Sequence, residues 1–332
     1  RWVYDLSAHV PSGVIVQYNF ESGGRVCQLG KERAAGDYWL SYAGPSVCFS
    51  RFAKAAVRHG TPLSAKLQAG GSLELETIPS LPVPALLYRK YKRMKALGVS
   101  HCMQSWLFGS KPGLLSEAAG LLSGWDFQLS EKVFLTELAR PYWKEHAAEV
   151  AEAWKWFSEG YKNFPVCFMF QYYSPVQNGL TWPLRLIVRN LPLSPVWKPD
   201  FPVSGDAVGE CLQNHDLDEA ILLMEIVSRK WLRGMRILES LREEFRSDPE
   251  CMRQLIIAEA AGIQFESAQG ILNFYRLRSR LADREYDFTM TLEQMKKIVR
   301  REIELRTRML ELIRLDGTLG FQIGRASCRE RV

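Results

Sequence analysis

Four acidic residues fall where strands should end, and their spacing suits acid–base chemistry. Glu21 follows the β-branched and aromatic run 14–20 (VIVQYNF), Asp37 opens DYWLSY, and Glu74 and Glu76 lie on a long loop after 63–69 (LSAKLQA). Breaking a glycosidic bond needs one carboxylic acid to protonate the leaving oxygen and one carboxylate to act as nucleophile or base, and barrels usually supply the two from different strands. Glu21 and Glu74 are the candidate catalytic pair. Extended backbone would point Glu76 the same way as Glu74, so the loop alone does not separate them. The plain alternative is a set of solvated loop carboxylates. Sugars present flat apolar faces between hydroxyls, which an aromatic platform with neighbouring polar groups can bind. Trp106 follows Gln104 and Ser105 at such a strand end, while Tyr18, Asn19, Lys66 and Gln68 alternate with apolar residues on their strands. Together with Asp37 and Glu76 these are the candidate substrate contacts, a core role for Trp106 being the alternative.

The elements that would position them alternate. Candidate strands at 14–20, 37–42, 63–69 and 101–106 are interleaved with helices at 49–59 and 84–97. Phe49, Phe52, Ala53, Ala56 and Val57 would share one face of the first helix. In the second, Arg89, Lys90, Lys92, Arg93 and Lys95 surround Leu87, Tyr91, Met94 and Leu97, the pattern of a helix solvated on one side. The loop after 63–69 spans 70–83, whereas the returns at 60–62 and 98–100 are short, so the carboxyl ends of the strands are the expected working face. Repeated β/α units imply a parallel sheet, either doubly wound or part of a barrel. No GxGxxG or GxxxxGK[ST] motif is present, which disfavours the phosphate-cradling versions. The expectation is an α/β fold: the C-terminal part of a (β/α)8 TIM-like barrel over 1–110, then a mainly helical region over 111–322. Within the latter, Ser130, the pair Asp216 and Glu219, Asp248 with Pro249, and Thr291 with Gln294 mark helix starts. Residues 164–205 read as a strand-like VCFMFQYY followed by a proline-rich strap carrying Trp182 and Trp197.

Residues 323–332 (IGRASCRERV) look like the translation of a sequencing adapter, and the start at Arg1 reads as the interior of a longer gene. Setting that tail aside removes three arginines and one glutamate and lowers the formal charge from +6 to +4. So small an excess, spread over helix faces, does not indicate a nucleic-acid partner. With 47% hydrophobic and 24% charged residues, and no apolar run approaching the roughly 18 residues of a membrane span, the chain reads as globular with no membrane partner. Six scattered cysteines without metal spacing suggest reduced, mostly buried thiols, and a cytoplasmic location is expected. The five histidines are dispersed. No motif implies a metal or organic cofactor, and the oligomeric state is left open.

Three stretches, LSAKLQAGGSLELETIPSLPVPALLYRKY (63–91), QSWLFGSKPGL (104–114) and ELIRLDGTLGF (311–321), resemble an uncharacterised group of bacterial barrel proteins similar to glycoside hydrolases with a long helical C-terminal region. The resemblance runs over most of the chain and implies a carbohydrate substrate. Members of that group often carry Asn and Trp where this chain has Gly71 and Leu73, so the resemblance leaves Glu74 aligned but does not carry over a supporting polar and aromatic contact. The resemblance carries over no assigned catalytic pair, and a non-catalytic carbohydrate-binding barrel and a helical interaction protein are the alternatives.

Overall fold

The computed structural model describes residues 2–70, 73–75, 77–78, 80–104, 113–178, 180, 182–187, 208–281, 283 and 287–319. After a short helix α1 (Trp2–Asp5), strand β1 (Val16–Asn19) leads into a hairpin, β2 (Arg25–Gln28) and β3 (Lys31–Ala34), then helix α2 (Val47–Arg58), strand β4 (Leu63–Lys66), helix α3 (Pro84–Ala96) and strand β5 (His101–Met103). β1, β4 and β5 form one parallel sheet in that order, with Asn19 opposite Lys66 and Lys66 opposite Met103. The hairpin turns at Leu29 and Gly30, both with positive φ, the backbone that a two-residue turn between right-twisted strands requires.

Local chemistry explains the crossover helices. Ser46 caps α2 by accepting from the Phe49 N–H, and Pro84 opens α3 where its missing N–H costs nothing. Phe49, Phe52, Ala53 and Ala56 are buried, but Val57 is 58% exposed, at the edge of the stripe expected to hide it. Tyr18 stacks on Phe52 of α2, and Cys102 lies 3.8 Å from the Tyr91 hydroxyl of α3. The even-numbered positions of β1 and β5 therefore face the two helices. The other face carries Gln17, Asn19, Ser64 and Lys66, linked in part by a Ser64-to-Gln17 hydrogen bond.

The barrel expectation is overturned. Three short parallel strands and a two-stranded antiparallel hairpin are the sheets among the described residues, with no eight-strand closure. From Leu114 onward the described residues are mainly helical, pack on α3 and on one another, and add no strand to the sheet. Two expected strands also fail. Residues 37–42 are irregular, with Tyr38 at φ +61°, and 166–173 is largely helix α7 (Phe168–Tyr173).

The helical part comprises α4 (Leu114–Ser123), α5 (Glu131–Trp143), α6 (Ala147–Tyr161), α7, α8 (Pro175–Asn178), α9 (Leu217–Leu241), α10 (Pro249–Leu281) and α11 (Phe288–Leu315). α9 packs between α6 and α10, and α10 between α9 and α11. A single buried cluster runs from Val16 of β1 to Leu319, joining the sheet to these helices. No helix among the described residues is long and apolar enough to cross a membrane.

Candidate functional site

The carboxyl ends of β1, β4 and β5 do gather several of the expected residues. Backbone pairing extends past the regular strands, Phe20 N–H to Lys66 O at 2.8 Å and Ala69 N–H to Gln104 O at 2.9 Å, so Glu21, Gln68 and Gln104 sit at neighbouring strand exits. Glu21 is 1% exposed and forms an ion pair with Lys90 of α3, Nζ to Oε1 2.5 Å. The Gln68 N–H donates to the same oxygen at 3.2 Å, and Lys90 also donates to the Trp39 carbonyl at 2.7 Å. Burial pushes the Glu21 carboxyl above the ordinary carboxylate range, while the Lys90 charge and the hydrogen bonds to Glu21 pull it back. Lys90 itself is completely buried, which corrects its expected place on a solvated face.

Glu74 is also completely buried, in the short 3-10 turn Leu73–Leu75. Its Oε2 accepts from Leu40 N–H at 2.9 Å, Ser41 N–H at 3.0 Å and the Tyr161 hydroxyl at 3.1 Å, and the Ser41 hydroxyl bonds Oε1. Both carboxylates thus hold the irregular segment 39–41: Glu21 through Lys90 and the Trp39 carbonyl, Glu74 through the next two amides. A buried carboxylate that accepts this many hydrogen bonds positions the groups that donate them. In this arrangement neither group is open to solvent.

Asn19, Asp37 and Lys66 lie beside this pair, on the sheet face turned away from α2 and α3. The Asn19 amide donates to Asp37 Oδ1 at 3.2 Å, and the Lys66 ammonium sits 4.8 Å from the centre of the Tyr38 ring. Gln104 donates to the Tyr91 hydroxyl at 2.8 Å. Asn19, Asp37 and Lys66 are half-buried, as are Tyr18 and Gln104 on the helix-covered face, while Gln68 is buried. Glu76 and Trp106 lie outside the described residues, as do Trp197 and 323–332. Elsewhere, Glu145, His146 and Glu244 bring three possible ligand atoms within 4.8 Å of one another, and both His146 nitrogens already lie 3.2 Å from carboxylates of Glu149 and Glu244.

Lys90, Tyr38, Ser41 and Tyr161 were not among the residues singled out from sequence. Lys90 had a signal: it falls three residues after Leu87 and four before Met94, on the apolar stripe itself. Tyr161 had none, because it arrives from α6, 87 positions beyond Glu74. Comparison of the chain with family models, curated proteins and solved structures finds no match. Function must therefore be argued from the residues.

Proposed function

We propose that the chain binds carbohydrate on the polar sheet face, at the carboxyl ends of β1, β4 and β5. The observation that carries this reading is the in-register Asn19 and Lys66 beside Asp37, all three half-buried, with the Lys66 ammonium over the ring of the buried Tyr38. An amide, a carboxylate and an ammonium side by side offer the donors and acceptors that sugar hydroxyls need, and the buried Tyr38 ring backs the ammonium. Titration of a panel of soluble oligosaccharides tests it. Asn19→Ala and Asp37→Ala should each weaken binding by roughly tenfold, the loss of about one hydrogen bond, without moving the unfolding temperature. Absence of saccharide binding, or binding untouched by both changes, rejects the reading.

Hydrolysis of a glycosidic bond is the second reading, supported by the upward-shifted Glu21 carboxyl, since a general acid at neutral pH needs such a shift. It requires both buried carboxylates to open, Glu74 by release of Leu40 and Ser41 and Glu21 by separation from Lys90. Turnover abolished in Glu21→Gln, with saccharide binding retained, would support this step. An unchanged rate removes Glu21 from it.

A further inference from the structure

A trough of about 700 Å³ runs between α9, α10 and α11. Its floor is apolar: Trp231 is buried with its indole N–H on the Ala258 carbonyl at 2.8 Å, and Met235, Ile263 and Leu305 extend it along the helices. Leu232 stands at its α9 side, 51% exposed. Gly262 lets the floor lie close, since a Cβ there would meet the Trp231 ring at 3.0 Å.

The charges along the trough repeat every seven residues, two helical turns. Arg229 and Arg236 line the α9 side with Glu225 and Glu239 at its two ends, Glu259 and Glu266 the middle, and Arg301, Glu304 and Arg308 the α11 side; Glu239 and Glu304 are paired within the protein, with Arg242 and Arg301. The α10 and α11 rows satisfy each other, Arg301 with Glu266 at 2.6 Å and Arg308 with Glu259 at 2.6 Å. Arg229 and Arg236 are exposed and enter no ion pair among the described residues. They flank Leu232 about 10 Å apart along the axis. Among the described residues no fourth helix covers the apolar seam of this three-helix layer.

We propose that this trough binds an amphipathic acidic helix of a partner protein, with an apolar stripe on Leu232 and Met235 and two carboxylates seven residues apart on Arg229 and Arg236. Charge argues against a second copy docking by the same α9 face. An antiparallel α9 pair centred on Leu232 sets Arg229 near Arg236 and Glu225 against Glu239, and a parallel pair sets each charge against itself. A helix with acidic residues in the seven-residue spacing meets the two unpaired guanidinium groups instead.

The probe is a fluorescein-labelled helical peptide of about 16 residues, with leucines at seven-residue spacing and glutamates beside them, compared with the same peptide carrying lysines in place of the glutamates. Fluorescence anisotropy with the full chain should show binding of the acidic peptide alone, weakened by added salt. The exposed double change Arg229→Glu/Arg236→Glu should reduce its affinity at least tenfold and confer binding of the lysine peptide, an outcome that misfolding would not produce. Leu232→Asp should abolish both. Equal binding of both peptides by the unaltered chain, no binding of the acidic peptide, or a dimer in light scattering that Leu232→Asp dissolves would overturn the proposal.

Discussion

At the scale of single residues the defining feature is two carboxylates enclosed near one irregular segment. Removing one member of a buried ion pair strands the other charge and typically costs about 3–5 kcal/mol, more than the pair contributes over apolar replacements. Lys90→Met and Glu21→Gln should therefore each lower stability strongly, and the double change should cost clearly less than their sum, read from urea unfolding midpoints. Tyr161→Phe, which removes one of the donors to Glu74, should cost about 1–2 kcal/mol by the same measurement. A different residue contributes to the acid side of the stability profile. His215 is 5% exposed, neither ring nitrogen has a hydrogen-bond partner among the described residues, and burial with the nearby Arg33 charge holds it down at about 4. The unfolded chain, with an ordinary histidine near 6.5, takes up the proton first. Stability from this group is thus full above about pH 6.5 and drains away as pH falls toward 4. Urea midpoints at pH 7.5 and 5 should diverge less in His215→Phe than in the unaltered chain. The sequence pointed to Glu21 and Glu74 by their place after strands, but their partners were hidden: Lys90 looked like one cation in a basic run, and Ser41 and Tyr161 become neighbours only through the fold.

At the scale of elements, short-range signals were legible wherever a polar side chain closes a helix. Ser130 accepts from the Val133 N–H, and Asp216 and Glu219 form a reciprocal capping box at the start of α9. Asp216→Ala should lower stability by about 1 kcal/mol, measurable as a shifted midpoint with an unchanged denaturant slope. For α11 the cap is Asp287, accepting from Met290 N–H at 2.8 Å, and Thr291 is instead buried in the first turn. The VCFMFQYY stretch misled for a physical reason. With apolar residues at nearly every position, it has no clear period, and length and β-branched content cannot then separate strand from helix. Burial settles it: Cys167, Phe170, Gln171 and Ser174 are hidden while Phe168 is 43% exposed, a helical spacing. The same limit applied to 37–42, whose aromatic run is bent by Tyr38 so that two amides reach Glu74.

At the scale of the whole molecule, alternating β/α pattern announces parallel strands but not how many, and here helices rather than further strands cover the sheet's surroundings. What fixes that arrangement is the close approach of α6 and α9. Gly234 of α9 sits against α6 so tightly that a Cβ would lie 2.5 Å from Phe157 Cε1 and 2.8 Å from the Ala153 carbonyl oxygen. Phe157 cannot yield, because it is fully buried and stacked on Trp231 at 4.3 Å, which in turn meets Phe265 edge-on at 5.0 Å. Gly234→Ala should therefore cost about 1–3 kcal/mol through overpacking, despite alanine's better helix propensity. Gly120 of α4, where a Cβ would meet nothing within 4 Å, should give the opposite sign, Gly120→Ala gaining up to about 1 kcal/mol. Because one buried cluster joins the sheet to α6 and α9, the loss at Gly234 should move the whole transition. Far-UV circular dichroism and tryptophan fluorescence should shift together in urea. Separate transitions in Gly234→Ala, with one left at the original midpoint, would mean that the sheet and the helical layer fold as independent units in spite of their shared core.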